Sequence, residues 1–215
     1  VTPFRWAAFG ATGTGKTAWV VQQLQKLKPR RLMVWDPKHD DMLNGVGEPF
    51  TDWAAFVRAC RGKAFQARYL MNHDFNQHEQ FARFCELAWR EGNVVLFVDE
   101  LAEVTKASHA PAAWKKIVNV GRRYENGTKS ISIIGASQTP TEVDKSFLNN
   151  CDLIHTGRLG NVAAAKTFAQ QWGINVAEIT GLQPLHWLEK RDTSPEISRG
   201  MLKFSGRQQA QKRAP

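Results

Sequence analysis

Eight consecutive residues, Gly10-Ala11-Thr12-Gly13-Thr14-Gly15-Lys16-Thr17, have the types and spacing of a phosphate cradle, GxxxxGK[ST]. Three glycines let the backbone fold close around an anion and aim its N–H groups inward, and a helix start adds a favourable partial positive charge. In this pattern Lys16 reaches the β- and γ-phosphates of a bound nucleotide, and Thr17 places its hydroxyl on Mg²⁺. The alternative is a Gly-rich structural turn. It is disfavoured because the pattern falls between an apolar run, residues 4–9, and a helical one, residues 16–27.

Two acids, Asp99 and Glu100, follow the continuous apolar run at residues 94–98. A buried strand there delivers both to the carboxyl edge of a sheet, the edge where ligands bind in α/β folds. Asp99 is suited to hold Mg²⁺ through a water, and Glu100 to polarise the water that attacks a γ-phosphate, because phosphoryl transfer depends chiefly on positioning and charge stabilisation. That pairing favours hydrolysis of ATP over its use as a phosphate donor. Gln138 closes another apolar run, residues 130–137, expected beside the strand that enters the phosphate loop. Its amide could sense the γ-phosphate or orient water; capping a turn is the structural alternative. Glu103 reads as a solvated helix residue.

The elements that must position these groups alternate. Strands are expected at 4–9, 31–36, 64–70, 94–98, 130–137 and 151–156. Helices are expected at 16–27, from about 52, at 78–91 with Gly92 as its stop, at 111–123, after Thr141 with Asp144 three residues on, and at 161–172. Trp53, Phe56, Val57 and Cys60 follow the i, i+3, i+4, i+7 spacing of one helix face, as do Phe81, Phe84, Cys85 and Ala88. Strand–helix alternation predicts a mostly parallel sheet covered on both faces, a three-layer α/β arrangement. Runs at 185–190 and 200–204 predict an antiparallel edge hairpin. Residues 1–204 read as one ATPase domain and 205–215, polar and basic without periodicity, as a mobile tail.

With 215 residues, 42% of them hydrophobic, the chain is long enough for one full core and has no apolar run approaching a membrane span. No signal peptide is expected. Three separated cysteines, Cys60, Cys85 and Cys151, argue against a disulfide framework or zinc site. His73 and His78 lack metal-ligand spacing and read as loop histidines. A net charge of +9 suits a polyanionic partner. Basic clusters at 26–31, at Lys115, Lys116, Arg122, Arg123 and Lys129, and near 199–213 could contact phosphates without reading sequence, or could be solvated faces. Trp53, Trp89, Trp114 and Trp172 fall in helical apolar patterns and are expected in the core.

Four signatures occur in order: the loop at 10–17; Asp36-Pro37-Lys38 at the end of the second strand; Asp99-Glu100; and Gly121-Arg122-Arg123 shortly before Ala136-Ser137-Gln138-Thr139-Pro140. Together they resemble the FtsK/HerA superfamily of DNA-translocating ATPases, P-loop proteins of the RecA/ASCE-like class. As a compact domain the chain is most similar to genome-packaging ATPases of tailless, membrane-containing icosahedral viruses. The resemblance implies a homo-oligomeric ring, usually a hexamer, with ATP and Mg²⁺ between subunits, Arg122 or Arg123 completing the neighbour's site, DNA held irrespective of sequence, and a capsid or vertex protein as partner. It places the protein in the host cytoplasm or at the packaging vertex. A Zot-like ATPase for filamentous phage assembly shares several of these signatures, and a P-loop small-molecule kinase shares the loop alone.

Overall fold

The computed structural model describes residues 2–204. The tail expected over 205–215 lies outside the described residues. Among the described residues nine strands form one sheet: β1 (Arg5–Phe9), β2 (Arg31–Asp36), β3 (Glu48–Phe50), β4 (Phe65–Leu70), β5 (Val94–Val98), β6 (Ile131–Ser137), β7 (Leu153–Thr156), β8 (His186–Arg191) and β9 (Ile197–Met201). Their order across the sheet is β3-β4-β2-β5-β6-β1-β7-β8-β9. The first seven pair in parallel, and β8 and β9 are added antiparallel at the β7 edge.

Parallel pairing requires crossovers, and the helices that make them cover both faces. The strands read as apolar runs because alternate side chains enter two different cores. In β2, Met33 and Trp35 join the larger core, whereas Leu32 and Val34 join the smaller; in β5, Leu96 and Val98 face the larger core and Phe97 the smaller. The larger core is closed by α2 (Trp53–Ala59), α3 (Gln77–Glu91), α4 (Leu101–Val104), α5 (Ala112–Val120), α6 (Lys145–Asn149), α7 (Val162–Trp172) and α8 (Val176–Thr180), through side chains such as Phe56, Phe84, Trp114 and Phe168. The smaller is closed by α1 (Lys16–Leu27), whose Trp19, Val20 and Leu24 pack on the sheet with Leu43 and Leu202.

Several helix limits follow from single residues. Asp52 and Asn76 accept backbone N–H bonds at the starts of α2 and α3, and Gly92, at φ 58°, ends α3. Gly121 ends α5 at Val120, so the helix stops three residues short of the expected 123 and Arg122 and Arg123 lie beyond it. Thr141 is not the cap expected of it. Pro140–Glu142 forms a 3-10 turn, and Asp144 itself caps α6 by accepting from the Ser146 N–H. His78 sits in the first turn of α3 rather than a loop. The last strand is Ile197–Met201 instead of 200–204, leaving residues 202–204 outside the sheet. Trp114 is fully buried and Trp172 nearly so, while Trp53 and Trp89 pack partly buried against the same core. The cysteines are free, with Cys60 and Cys85 buried.

Candidate active site

β1 is flanked by β6 and β7, so the loop that leaves its carboxyl end emerges at the middle of the sheet. Residues 10–17 turn there into α1. The Ala11 N–H donates to the Arg158 carbonyl (2.9 Å), and the Thr14 N–H and hydroxyl both donate to the Ala11 carbonyl (3.2 and 2.8 Å). The end of β7 thereby braces the loop. Gly15 precedes the helix at φ 99°, a left-handed conformation, and a Cβ placed on it would lie 2.5 Å from Leu202 Cδ1. The backbone conformation disfavours a side chain there, and Leu202 would have to shift to admit one.

Lys16 enters a buried polar cluster. Its Nζ lies 3.3 Å from Glu100 Oε1 and 3.6 Å from Asp99 Oδ1. The Glu100 oxygen also accepts from Gln138 Nε2 (3.2 Å) and Lys38 Nζ (3.1 Å), and Lys38 pairs with Glu103 as well (3.1 Å). The Thr12 hydroxyl donates to Gln138 Oε1 (3.4 Å). These groups come from the ends of β2, β5 and β6 and from the loop after β1, which are consecutive neighbours in the sheet. They surround a cleft of about 410 Å³ whose lining includes Gly13, Lys16, Thr17, Glu100, Gln138 and Phe204.

The two acids differ in environment. Burial pushes the Asp99 carboxyl up to about 6, with Lys16 opposing and Glu100 adding to the rise. Burial also pushes Glu100 upward, but Lys16 and the hydrogen bonds from Gln138 and Lys38 together pull it below the usual carboxylate range. Glu100 is therefore the firmly ionised member. Its backbone is left-handed, φ 49°, a conformation that costs a non-glycine residue roughly 1 kcal/mol and is found where surroundings impose it. Asp99 Oδ1 is buried without a hydrogen-bond partner. A carboxylate oxygen without a hydrogen-bond partner and a hydroxyl lining the cleft are oxygen donors of the kind a hard divalent cation takes, so Asp99 and Thr17 fit Mg²⁺.

Asp36 is fully buried and shapes the turn that presents Lys38: its carboxylate accepts from the Asp40 N–H (3.1 Å) and from Arg68 (3.4 Å). The Lys38 contacts with Glu100 and Glu103 were not evident in the sequence, since 62 residues separate Lys38 from Glu100 and only the β2–β5 pairing brings them together.

Arg122 and Arg123 lie at the other edge of the sheet, about 15 Å away along the strands. Arg122 is engaged within the chain, donating to the Pro3 carbonyl (3.0 Å), the Asn150 carbonyl (2.9 Å) and Asp152 Oδ1 (2.7 Å). Arg123 is exposed and has no hydrogen-bond or ion-pair partner among the described residues. Among the described residues, no group of three or more His, Cys, Asp and Glu is placed to hold a metal ion.

No family model matches the chain. Protein P9 of Pseudoalteromonas phage PM2 is 27% identical over 190 residues, covering 84% of this chain and 83% of that protein. Among solved structures, the genome packaging NTPase B204 of Sulfolobus turreted icosahedral virus 2, in complex with ATP-gammaS, matches with a TM-score of 0.72 at 13% identity, covering 94% of this chain and 98% of the other. The N-terminal domain of zonular occludens toxin from Neisseria meningitidis matches with a TM-score of 0.52 at 12% identity, covering 96% and 97%. In fold, then, the chain is a P-loop NTPase, and the solved structures it matches include viral genome packaging NTPases at 13–14% identity, a likeness of fold.

Proposed function

We propose that this chain hydrolyses ATP as one subunit of a ring that moves DNA into a preformed viral capsid. The observation that carries the ATPase reading is the convergence of Lys16, Glu100 and Gln138 on one cleft at the carboxyl edge of the sheet, with Asp99 buried against Lys16. The loop at 10–17 holds the phosphates, with Lys16 on the β- and γ-phosphates. Thr17 and Asp99 hold Mg²⁺, which when bound neutralises charge on the phosphate oxygens. Glu100 orients and deprotonates the attacking water, and Gln138 fixes the carboxylate and faces the γ-phosphate.

Ring assembly supplies what one chain lacks. A guanidinium offered by a neighbour stabilises charge developing on the phosphate, an effect worth about 10³ to 10⁵ in rate. Arg123 is the free candidate, since Arg122 already bonds three groups of its own chain. DNA is held through its phosphates, as the net charge of +9 favours. Packaging places the protein in the host cytoplasm or at the capsid vertex. No helix among the described residues is long and apolar enough to cross a membrane.

The likeness to the zonular occludens toxin domain favours a second reading, an ATPase serving filamentous phage assembly, but at a lower TM-score. A kinase is disfavoured by Glu100 taken together with the Asp36-Pro37-Lys38 strand end, and screening phosphate acceptors alongside water decides between the two. The deciding experiment is phosphate release measured with and without DNA, alongside electron microscopy of the assembly. DNA-stimulated hydrolysis by a ring is expected; hydrolysis by a monomer indifferent to DNA under all conditions would overturn the translocase.

A further inference from the structure

The three residues after β9 do not continue the sheet. They pass alongside α1 and are fastened at three points: the Leu202 N–H donates to the carbonyl of Leu185, just before β8 (2.9 Å), Leu202 Cδ1 fills the space in front of Gly15, and Gln22 Nε2 in the second turn of α1 donates to the Lys203 carbonyl (2.9 Å). Gln22 lies one helical turn beyond Ala18, on the same side of α1. The strap thus sets Phe204 into the lining of the same cleft as the phosphate loop.

The cleft has a direction. Glu100, Gln138 and Lys38 converge at one end, around Lys16, and that end must receive the γ-phosphate because the water activator has to face it. A triphosphate laid along residues 13–17 then sends its nucleoside the other way, over the first turn of α1. Ala18, in that first turn, and Phe204, next to the Lys203 that Gln22 holds one turn further on, both line the cleft. A phosphate site needs no aromatic ring, whereas a nucleobase presents a flat π-face that stacks on one.

We infer that the strap at 202–204 builds the nucleobase subsite and that Phe204 is the platform on which the base stacks. The inference rests on the nucleotide-binding reading of the loop. It assigns the chain's last described residues to substrate binding, and it gives Gly15 a second duty, as the seat of Leu202 and hence of the strap.

The test separates base from phosphate by using two probes on the full chain, ATP and inorganic tripolyphosphate, which has no base. For Phe204→Ala, ATP should bind about tenfold more weakly, the scale of one lost base–aromatic stack, while tripolyphosphate binds as to the unaltered protein. KM for ATP should rise with kcat within about twofold, the mark of binding lost equally from ground and transition states. Phe204→Trp should restore ATP affinity. Equal ATP affinity in Phe204→Ala and the unaltered protein would overturn the stacking role. Equal weakening of both probes would also overturn it, since a purely structural strap disturbs the whole loop. If the unaltered protein bound tripolyphosphate but not ATP, the base subsite would fall and the phosphate site stand; if it bound neither, both readings would fall.

Discussion

Exchange of Glu100 for Gln separates nucleotide binding from hydrolysis, and the structure predicts opposite signs for the two. Glu100 Oε1 takes donors from Lys38 (3.1 Å), Gln138 (3.2 Å) and Lys16 (3.3 Å). The Lys16 and Glu100 side chains are only 9% and 10% exposed. Two unit charges at that separation attract by about 5 kcal/mol at an effective dielectric of about 20, before the cost of desolvating them is subtracted. That attraction competes with phosphate for Lys16. With Lys16 and Lys38 against Asp99, Glu100 and Glu103 the ionised cluster carries one net negative charge; Gln at position 100 removes it, to the benefit of an anionic ligand. If about a quarter of the gross attraction survives desolvation and screening, ATP binds roughly tenfold more tightly, about 1.4 kcal/mol. Turnover falls by about 10² to 10⁴, the contribution of a positioned base. Equilibrium titration with a fluorescent ATP analogue and steady-state phosphate release measure the two quantities. Unchanged turnover would remove Glu100 as water activator. Weaker ATP binding would mean that the carboxylate holds the nucleotide and would refute the competition argued here.

Three other expectations follow from the geometry. Gly15→Ala places a side chain at φ 99° and against Leu202, so it should cost about 1–3 kcal/mol of stability and abolish ATP binding, checked by thermal melting and titration. Arg122→Ala should lower the melting temperature by removing three hydrogen bonds, whereas Arg123→Ala should leave it unchanged; only an Arg123-deficient subunit mixed with a Glu100→Gln subunit should regain ATPase activity, and no regain would remove Arg123 as the residue acting in trans. Acid should destabilise the fold through the buried set Trp19, His155 and Glu189, in which His155 stacks on Trp19 and Glu189 accepts from both. Burial lowers His155 below its ordinary 6.5, so the unfolded chain protonates first and stability is lost as the pH falls through about 6.5. Glu189, which burial raises but bonds from His155 and Trp19 bring below 4.5 overall, adds a further loss beneath that value. His155→Phe should flatten the dependence of melting temperature on pH between about 7 and 5, and an unchanged slope would exclude His155 as its source.

Much of the site was legible because its chemistry is local in sequence. The spacing from Gly10 to Thr17 is a property of one turn, and β5 with Asp99 and Glu100 at its end coincides with its apolar run. The order of motifs placed Gln138 beside the phosphate loop, and the β1–β6 register puts it there. The sheet's parallel character followed from strand–helix alternation. Its edges were harder to read. β3 is three residues long, Glu48-Pro49-Phe50, too short for any periodicity, and α4 and α8 are helices of four and five residues that give no amphipathic signal.

The residues that sequence reasoning missed have one property in common: their role depends on a neighbour that only the fold provides. Arg122 looked interchangeable with Arg123 because both follow Gly121, yet only Arg122 meets Pro3, Asn150 and Asp152, which are 119, 28 and 30 positions away. Arg5 sits within the run at 4–9 that reads as an apolar strand; its guanidinium is wholly buried, bonded to the Phe4, Ile117 and Ile131 carbonyls, and burial lowers it to about 10. Lys38 was recognisable as part of a motif but not as a partner of Glu100. Leu202 to Phe204 resembled the end of a hairpin, because apolar residues that pack on a loop and apolar residues that extend a strand leave the same trace in sequence. What distinguishes them is Gly15, whose missing side chain is the space that Leu202 occupies. A glycine required by the phosphate loop thus also determines where the end of the sheet can dock, so the two ends of the domain meet at the site where the nucleotide is proposed to bind.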